Sequence, residues 1–248
     1  IFHAVVKNNV SIPMLFCLVK GKTGKAYTKL LGLVEELAAE NGTTIFNRRV
    51  TLMCDFEAPF IKSIQTHYAF VEVKCCFFYF TKNIRTHGQP IMNAIERAAG
   101  ENSETYGMAQ TTKRRLMMLP LLPEELATPE VLGLIHLAWT EGCPDYRDAF
   151  NGLFVTIIRA YVGTPPGHPA PVRPRFPQSI WSVSGRSIRT NNSVESVHAH
   201  LNAKVNGTVT LHRFLSIIED QMLQGRKRIR KGCESQSRAV EQVKNRLL

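Results

Sequence analysis

The order of apolar patterns over the first 100 residues is the feature that most restricts the fold of this chain. Short runs rich in β-branched and aromatic residues cover residues 1–6, 13–20, 49–54 and 68–76. Apolar side chains recur at helical spacing over residues 27–38, 58–67 and 77–85, and Asn41-Gly42 is expected to end the first of these helices. The pattern predicts the order β-β-α-β-α-β-α, an α/β layout that opens with an antiparallel hairpin.

Beyond residue 100 the pattern is helical. Residues 101–163 carry helical spacing, and Thr128-Pro129 predicts the start of a helix within them. Residues 164–177 contain six prolines and no periodicity, so they are expected to form an extended loop or linker. Helices are predicted again over residues 193–205 and 211–230, with a weaker one over residues 239–248.

Composition limits the class of protein and the kind of partner. A chain of 248 residues with 44% apolar content can fold as one large or two small globular domains. The net charge of +11 favours an anionic partner, most often nucleic acid, although a basic protein with no such partner is the alternative. Six irregularly spaced cysteines predict reduced thiols, and no apolar run is long enough for a signal peptide or a membrane span.

The segment TLMCDFEAPF places an acid where a predicted strand gives way to a helix. In open α/β sheets, ligands and catalytic groups gather beyond the carboxyl ends of strands, so Asp55 is a candidate metal ligand. The alternative is that Asp55 caps the following helix, with Glu57 and Pro59 in the first turn. Both interpretations fit the local sequence.

The segment RTNNSVESVHAH places a second acid, Glu195, near the start of a predicted helix. Asn192 and Glu195 have the spacing of a capping box, which is one interpretation. The other is that Glu195 and Asp55 together hold Mg²⁺, for which oxygen ligands are suited. His198 shares a helix face with Glu195, but it is equally explained as a packed or hydrogen-bonded histidine.

Two further clusters are weaker signals. Cys75, Cys76 and His87 match no structural zinc spacing, so buried thiols are the favoured interpretation of the cysteines. The densest basic run lies over residues 225–231, and its predicted DNA contacts are Arg226, Lys227, Arg228 and Arg230. This run indicates contact with DNA phosphates, a nuclear address, or simply the solvated end of a helix.

Six blocks of sequence occur in an order that points to a known family. They are PMLFCLVKGKTGKAYTKLL, DFEAPFIKSI, KCCFFYFTKNI, RRLMMLPLLPEEL, RFPQSIW and RTNNSVESVHAHLN. With these blocks in this order, the chain resembles the transposase domain of Mutator-like elements, in the animal form often joined to FLYWCH zinc fingers. The most specific part is RTNN followed by the acid and the histidine, with RFP and a tryptophan before it.

The resemblance implies a ribonuclease H-like mixed sheet with an all-helical insertion. Residues 1–100 would form a partial catalytic core, residues 101–180 the insertion and proline-rich loop, and residues 181–248 the C-terminal helical part that carries the last motif. The implied activity is cleavage and strand transfer of DNA in the nucleus, with a DDE triad and Mg²⁺ or Mn²⁺. DNA is the implied partner, no membrane is involved, and a homo-oligomer is compatible with the family.

The resemblance also assigns residues. Asp55 matches the second acid of the triad and Glu195 the third, while Arg189, Asn191, Asn192 and His198 would position the helix or contact DNA.

Two departures set this chain apart from the family. No acid precedes Glu35, so the first catalytic Asp and its central strand are expected to be missing and the chain to be inactive as given. Tyr79 also stands where the family has the His of a Cys-x-x-His motif. A non-catalytic, domesticated DNA-binding protein is therefore the alternative, and a protein-interaction scaffold is a third.

Overall fold

The computed structural model describes residues 1–6, 10–187, 189–190, 199, 201–205, 209–225 and 227. Its internal contacts divide the chain into two units, Ile1–Lys20 with Asn192–Leu248, and Gly21–Asn191. The described residues form a mainly helical α/β protein with two small sheets, which confirms the predicted class. The finer ribonuclease H-like assignment and the three-part division of the chain stay predictions.

The first unit opens with the predicted hairpin. Strand β1 (Phe2–Val6) pairs antiparallel with β2 (Val10–Leu15). The predicted bounds of the second strand, residues 13–20, are wrong, because pairing starts at Val10 and stops at Leu15. Pro13 lies within β2, which among the described residues pairs only with β1, so its missing N–H can lie at the strand's other edge.

The later helices of this unit are described in part. Residues 201–204 and 211–225 are helical, in agreement with the helices predicted there. Lys204 and Asp220 connect these two stretches by an ion pair of 3.8 Å. The rest of the predicted helix over residues 193–205, except Ala199, and all of the helix predicted over residues 239–248 lie outside the described residues.

The second unit begins with a helix, a strand, a helix and a strand. These are α1 (Gly24–Glu40), β3 (Val50–Cys54), α2 (Ala58–His67) and β4 (Val71–Cys75). The Thr23 hydroxyl accepts a 3.2 Å hydrogen bond from the amide of Ala26 and so caps α1, which ends at the predicted Asn41-Gly42 turn. Strands β3 and β4 are parallel, with Cys54 opposite Cys75, and α2 is their crossover.

Helix α3 (Phe77–Ala99) is much longer than the predicted residues 77–85. It continues through Pro90, which lacks the N–H that would bond to the carbonyl of Thr86; both residues are exposed, so solvent can satisfy that carbonyl. Gly88 is buried, and a Cβ added there would lie 3.4 Å from Lys113 and 3.6 Å from Leu153. Glycine therefore permits the close approach of these two neighbours to α3.

The helical block that follows contains four α-helices, with 3₁₀ helices between them at Leu119–Leu121, Glu124–Leu126 and Pro144–Phe150. The α-helices are α4 (Glu104–Met118), α5 (Pro129–Gly142), α6 (Asn151–Ile157), which continues as a π-helical turn over Ile158–Val162, and α7 (Gln178–Trp181). Thr128 caps α5 and Pro129 is its first residue, as predicted. Residues 164–177 contain no helix or strand, also as predicted, whereas α7 was not predicted from the sequence. No helix in the described ranges is long and apolar enough to cross a membrane.

Five aromatic rings form the centre of the second unit. This aromatic cluster consists of Phe56, Phe80, Tyr161, Phe176 and Trp181, with neighbouring ring centroids 4.6–6.3 Å apart. The Trp181 indole N–H donates to the carbonyls of Tyr161 at 3.1 Å and Phe176 at 3.0 Å. The cluster thereby fastens the end of β3 to α3, to the π-helical turn and to α7.

Candidate functional site

Asp55 lies directly beyond the carboxyl end of β3. Its side chain is half-buried, and its carbonyl accepts a 2.8 Å hydrogen bond from the amide of Glu57. The amide of Cys76 donates to the carbonyl of Cys54 at 3.0 Å, which continues the parallel pairing past the end of β4. The carboxyl ends of the two strands therefore lie side by side, with Asp55 next to them.

The N-cap position of the helix after Asp55 is occupied by a different acid. Glu57 occupies the N-cap position of α2, and its side chain makes no capping hydrogen bond. It pairs instead with Lys22, whose ammonium lies 3.2 Å from the carboxylate. The interpretation of Asp55 as the N-cap residue is therefore wrong, whereas its role as a metal ligand stays a prediction.

The first residue of the RTNN motif, Arg189, is fastened to the first turn of α3. The amide of Phe77 donates to the carbonyl of Arg189 at 2.9 Å. The exposed guanidinium of Arg189 turns back to donate to the carbonyl of Arg186 at 3.2 Å. Arg189 thus lies near the ends of β3 and β4. The other predicted residues of this motif, Asn191, Asn192, Glu195 and His198, lie outside the described residues.

The RFPQSIW block packs between β4 and the helical block. The Lys74 ammonium donates to the carbonyl of Ser179 at 2.9 Å and pairs with Glu72 at 2.6 Å. The Gln178 amide donates to the carbonyl of Ala127 at 3.0 Å. The contact of Lys74 with Ser179 joins the blocks KCCFFYFTKNI and RFPQSIW. Just after RFPQSIW, the amide of Val183 donates to the carbonyl of Pro120 at 2.7 Å, which adds the block RRLMMLPLLPEEL.

The DFEAPFIKSI block is held on its other side by α1. Tyr27 meets Phe60 edge to face at 5.3 Å, and the Ser63 hydroxyl donates to the carbonyl of Gly24 at 3.1 Å. Phe56 of the same block belongs to the aromatic cluster. Within the second unit, parts of all six blocks thus lie in one connected set of contacts that includes the strand ends.

Three thiols lie at the strand ends. Cys75 and Cys76 are fully buried, and Cys54 is half-buried; all three are reduced. A hydrogen bond with the Cys54 thiol, reinforced by burial, raises the pKa of Cys75 far above its usual range, so Cys75 stays protonated. The interpretation as buried thiols is confirmed, and no group of three potential metal-binding side chains is found in the part of the chain that the structure describes.

The oxygen chemistry of Asp55 fits Mg²⁺ rather than a soft metal. Mg²⁺ is commonly bound by one or two carboxylates together with waters and substrate phosphates, and the protonated Cys75 thiol does not compete for it. Asp55 supplies one such carboxylate at a strand end. The second would have to come from Glu195, as the resemblance implies.

Tyr79 occupies the family's histidine position in the first turn of α3. Its ring lies 5.5 Å from the Lys82 ammonium and 5.6 Å from the Phe78 ring centroid. The position is thus filled by an aromatic ring that interacts with a cation. A phenol does not carry protons readily near neutral pH, so the departure from the family has a chemical consequence.

The basic run near residue 228 is described at one position. Lys227 is helical and exposed, as a phosphate contact requires. Arg226, Arg228 and Arg230 lie outside the described residues. Contact of this run with DNA stays a prediction.

One cleft of the second unit was not predicted from the sequence. It encloses about 240 Å³ next to the aromatic cluster, with Asn83, His87 and Arg175 among its lining residues. Phe56 also lines it, and Phe56 is the residue after Asp55. The RFP block, in which Arg175 precedes Phe176, was the available sequence signal for this cleft. The cleft could not be predicted from it because the lining residues on α3 are distant in sequence.

Comparisons of the chain with family models, with curated proteins and with solved structures found no match. The resemblance to the transposases of Mutator-like elements therefore rests on the ordered sequence blocks alone. The contacts among those blocks around the strand ends are the structural feature from which a function can be inferred.

Proposed function

We propose that the chain is part of a DNA-cleaving and strand-transferring enzyme related to the transposases of Mutator-like elements. One observation carries this proposal: Asp55 lies beyond the carboxyl end of a parallel strand, where contacts connect the sequence blocks of the family. That position is where α/β proteins commonly place catalytic groups. The charge of +11 suits a DNA partner.

The surroundings of Asp55 suit a carboxylate that must be held in one orientation. The ring of the neighbouring Phe56 is held by Tyr161 and Phe176, with ring centroids 5.3 Å and 5.0 Å away. The backbone carbonyl of Asp55 accepts a hydrogen bond from the amide of Glu57. Asp55 and Glu195 would hold Mg²⁺, which when bound would activate a water or a 3′-hydroxyl and stabilise the leaving oxygen. Partial burial of Asp55, close to the protonated Cys75 thiol, strengthens the attraction of a cation to the carboxylate.

The cations of the two basic motifs would hold the DNA backbone. Arg189 is exposed and its main chain is fastened to α3, so its position relative to the end of β4 is fixed. Arg226, Lys227, Arg228 and Arg230 would add phosphate contacts that do not depend on sequence. Asn191, Asn192 and His198 would orient the helix of Glu195. A nuclear location and a homo-oligomer belong to the same proposal.

The proposal is tested by comparing Asp55→Asn with Glu57→Gln, two isosteric changes two residues apart. Mn²⁺ binding, followed by electron paramagnetic resonance, is expected to weaken about tenfold or more in Asp55→Asn and to stay unchanged in Glu57→Gln. Nicking of supercoiled plasmid in the presence of Mg²⁺ is measured with the wild type and with both variants. The same Mn²⁺ affinity in both variants would contradict a metal role for Asp55.

A non-catalytic DNA-binding protein is the second candidate, and Tyr79 favours it. The residue that replaces the family's histidine is engaged with Lys82 and Phe78, and it offers no ready proton carrier. This candidate predicts DNA binding that weakens steeply with salt and is unchanged in Asp55→Asn and Glu195→Gln. Mg²⁺-dependent nicking that is lost in Asp55→Asn would exclude it.

A further inference from the structure

The cleft beside Phe56 has the size and shape of a site for one flat ring. It encloses about 240 Å³, and Phe56, Tyr161 and Phe176 supply its apolar lining. Pockets for drug-sized ligands usually enclose about 300–1,000 Å³, so this cleft suits a smaller group. Tyr161 and Phe176 are buried and fixed in the aromatic cluster, which makes the walls rigid.

Two polar atoms in the cleft form a matched donor and acceptor. The Asn83 amide N–H donates to the Tyr161 hydroxyl oxygen at 2.9 Å. This leaves the Asn83 carbonyl oxygen as an acceptor and the Tyr161 O–H as a donor, side by side. Burial raises the pKa of Tyr161, so the hydroxyl keeps its proton. Nucleobases carry adjacent donors and acceptors of this kind on their edges.

The mouth of the cleft is positively charged. Arg175 is exposed, and its guanidinium carbon lies 5.5 Å from the ring centroid of Phe176. His87 is exposed and lines the same cleft from α3. The described lining residues include no carboxylate. A phosphate attached to a bound ring would therefore meet a guanidinium, which binds phosphate through paired N–H groups.

We infer that this cleft binds a single nucleotide, with its base against Asn83 and Tyr161 and its phosphate on Arg175. The inference deepens the proposed function and rests on it for the source of the nucleotide. Because Phe56 directly follows Asp55 and lines the cleft, the cleft lies close to the proposed metal site. One unpaired base of a DNA strand at that site can then leave the stack and enter the cleft.

The test compares Arg175→Gln with Arg173→Gln in the full chain. Both residues are exposed in the same loop and each change removes one positive charge, but Arg173 does not line the cleft. Binding of a single-stranded oligonucleotide is measured in EDTA by fluorescence anisotropy. Arg175→Gln is expected to weaken binding about tenfold more than Arg173→Gln, as the loss of a charged hydrogen bond implies. Equal weakening in the two variants would overturn the inference.

A second comparison tests the contact with the base. Tyr161→Phe removes the hydroxyl and no charge, and its fold is checked by thermal melting. Binding of an oligonucleotide is expected to weaken about fivefold, whereas an abasic oligonucleotide of the same length should bind the variant and the wild type equally. A similar loss with both oligonucleotides would contradict entry of a base into the cleft.

Two arms identify the source of the nucleotide. Oligonucleotide binding that depends on Arg175, without binding of free dAMP or TMP, assigns a DNA strand; binding of the free nucleotides assigns a small-molecule ligand. Either result supports the cleft. The two proposals also fail separately. If nicking depends on Asp55 but Arg175→Gln and Arg173→Gln weaken oligonucleotide binding equally, only the nucleotide-binding inference is rejected. If binding depends on the base but nicking does not depend on Asp55, only the catalytic proposal is rejected.

Discussion

The backbone amide of Phe77 lies 2.9 Å from the carbonyl oxygen of Arg189 and donates a hydrogen bond to it. This bond joins the first residue of α3 to the first residue of the RTNN motif. No side chain takes part in it. The position of Arg189 beside the strand ends therefore depends partly on where α3 begins.

A change that removes one N–H group tests this anchor. Phe77→Pro places proline at the first position of α3, where a helix accepts it, and Cys76 already has the extended backbone (φ −73°, ψ 128°) that precedes proline. Tryptic cleavage after Arg189 is expected to be about 2–10-fold faster than in Phe77→Ala, which lacks the ring but keeps the donor. Mass spectrometry of timed digests gives both rates, and equal rates would show that the bond does not hold the segment.

The carboxylate of Glu35 organises the turn after α1. It accepts hydrogen bonds from the Thr44 hydroxyl, from the amides of Ile45 and Phe46 at 3.1 and 2.9 Å, and from the Asn47 side chain at 3.0 Å. Burial alone would raise the pKa of this carboxyl, but the hydrogen bonds outweigh it and the pKa lies below the ordinary value. The ionised form is therefore the one that stabilises the fold.

Glu35→Gln is accordingly expected to lower the free energy of unfolding by about 1–3 kcal/mol at neutral pH. Because the folded pKa is depressed, this contribution is complete above the ordinary glutamate pKa of about 4.3 and disappears as the pH falls through the folded value. Urea denaturation between pH 3 and pH 7 should show the two proteins converging in acid. Glu36→Gln, at an exposed neighbour, is the control and should differ from wild type by less than about 0.5 kcal/mol. A gap that stays constant with pH would contradict the assignment.

Two glycines, one just before the proline-rich loop and one within it, have a similar positive φ but differ in the space around them. Gly163 (φ +78°) and Gly167 (φ +80°) both lie in the left-handed region, but a Cβ at Gly163 would lie 2.8 Å from the carbonyl oxygen of Val172 and 2.9 Å from Pro174, whereas one at Gly167 meets nothing within 4 Å. Gly167→Ala is expected to cost about 1–2 kcal/mol from backbone strain alone. Gly163→Ala should cost about 1–3 kcal/mol more because of the clash. Urea midpoints report the difference, and similar losses would mean that the loop yields freely.

Pro90 offers a change that should stabilise the protein. Pro90→Ala restores an N–H for the carbonyl of Thr86 at an exposed position inside α3. The free energy of unfolding is expected to rise by about 1 kcal/mol or more, since proline is costly within a helix. Gln89→Ala, one residue earlier, serves as the control and should change stability by less than about 0.5 kcal/mol. Destabilisation by Pro90→Ala would indicate that α3 needs the kink.

The sequence predicted correctly those helices whose start and end are determined by residues within or next to the helix in sequence. Helix α2 matches the predicted residues 58–67, because Pro59 and the apolar spacing are contained within the helix itself. Helix α3 was predicted too short because Gly88 and Pro90 are helix breakers in isolation. The reason for Gly88 lies with Lys113 and Leu153, which only the folded chain brings near it.

The candidate site divides in the same way. Asp55 was predicted at a strand end from the residues on either side of it, and the structure places it there. The contact of Phe77 with Arg189 joins two backbone groups, and backbone groups carry no sequence signature. The pairing of Asn83 with Tyr161 joins segments far apart in the chain, and helical spacing describes each segment only separately.

The aromatic cluster can be completed only late in the synthesis of this protein on the ribosome. Phe80 is fully buried in the finished fold, yet its stacked neighbour Trp181 is synthesised about 100 residues later, which takes roughly 5–20 s on a ribosome. For most of that interval, until Tyr161 is made, Phe56 and Phe80 lack all three later rings of the cluster. The nascent chain therefore exposes apolar side chains that the later rings will cover. Until Trp181 emerges, these side chains can bind chaperones or cause aggregation.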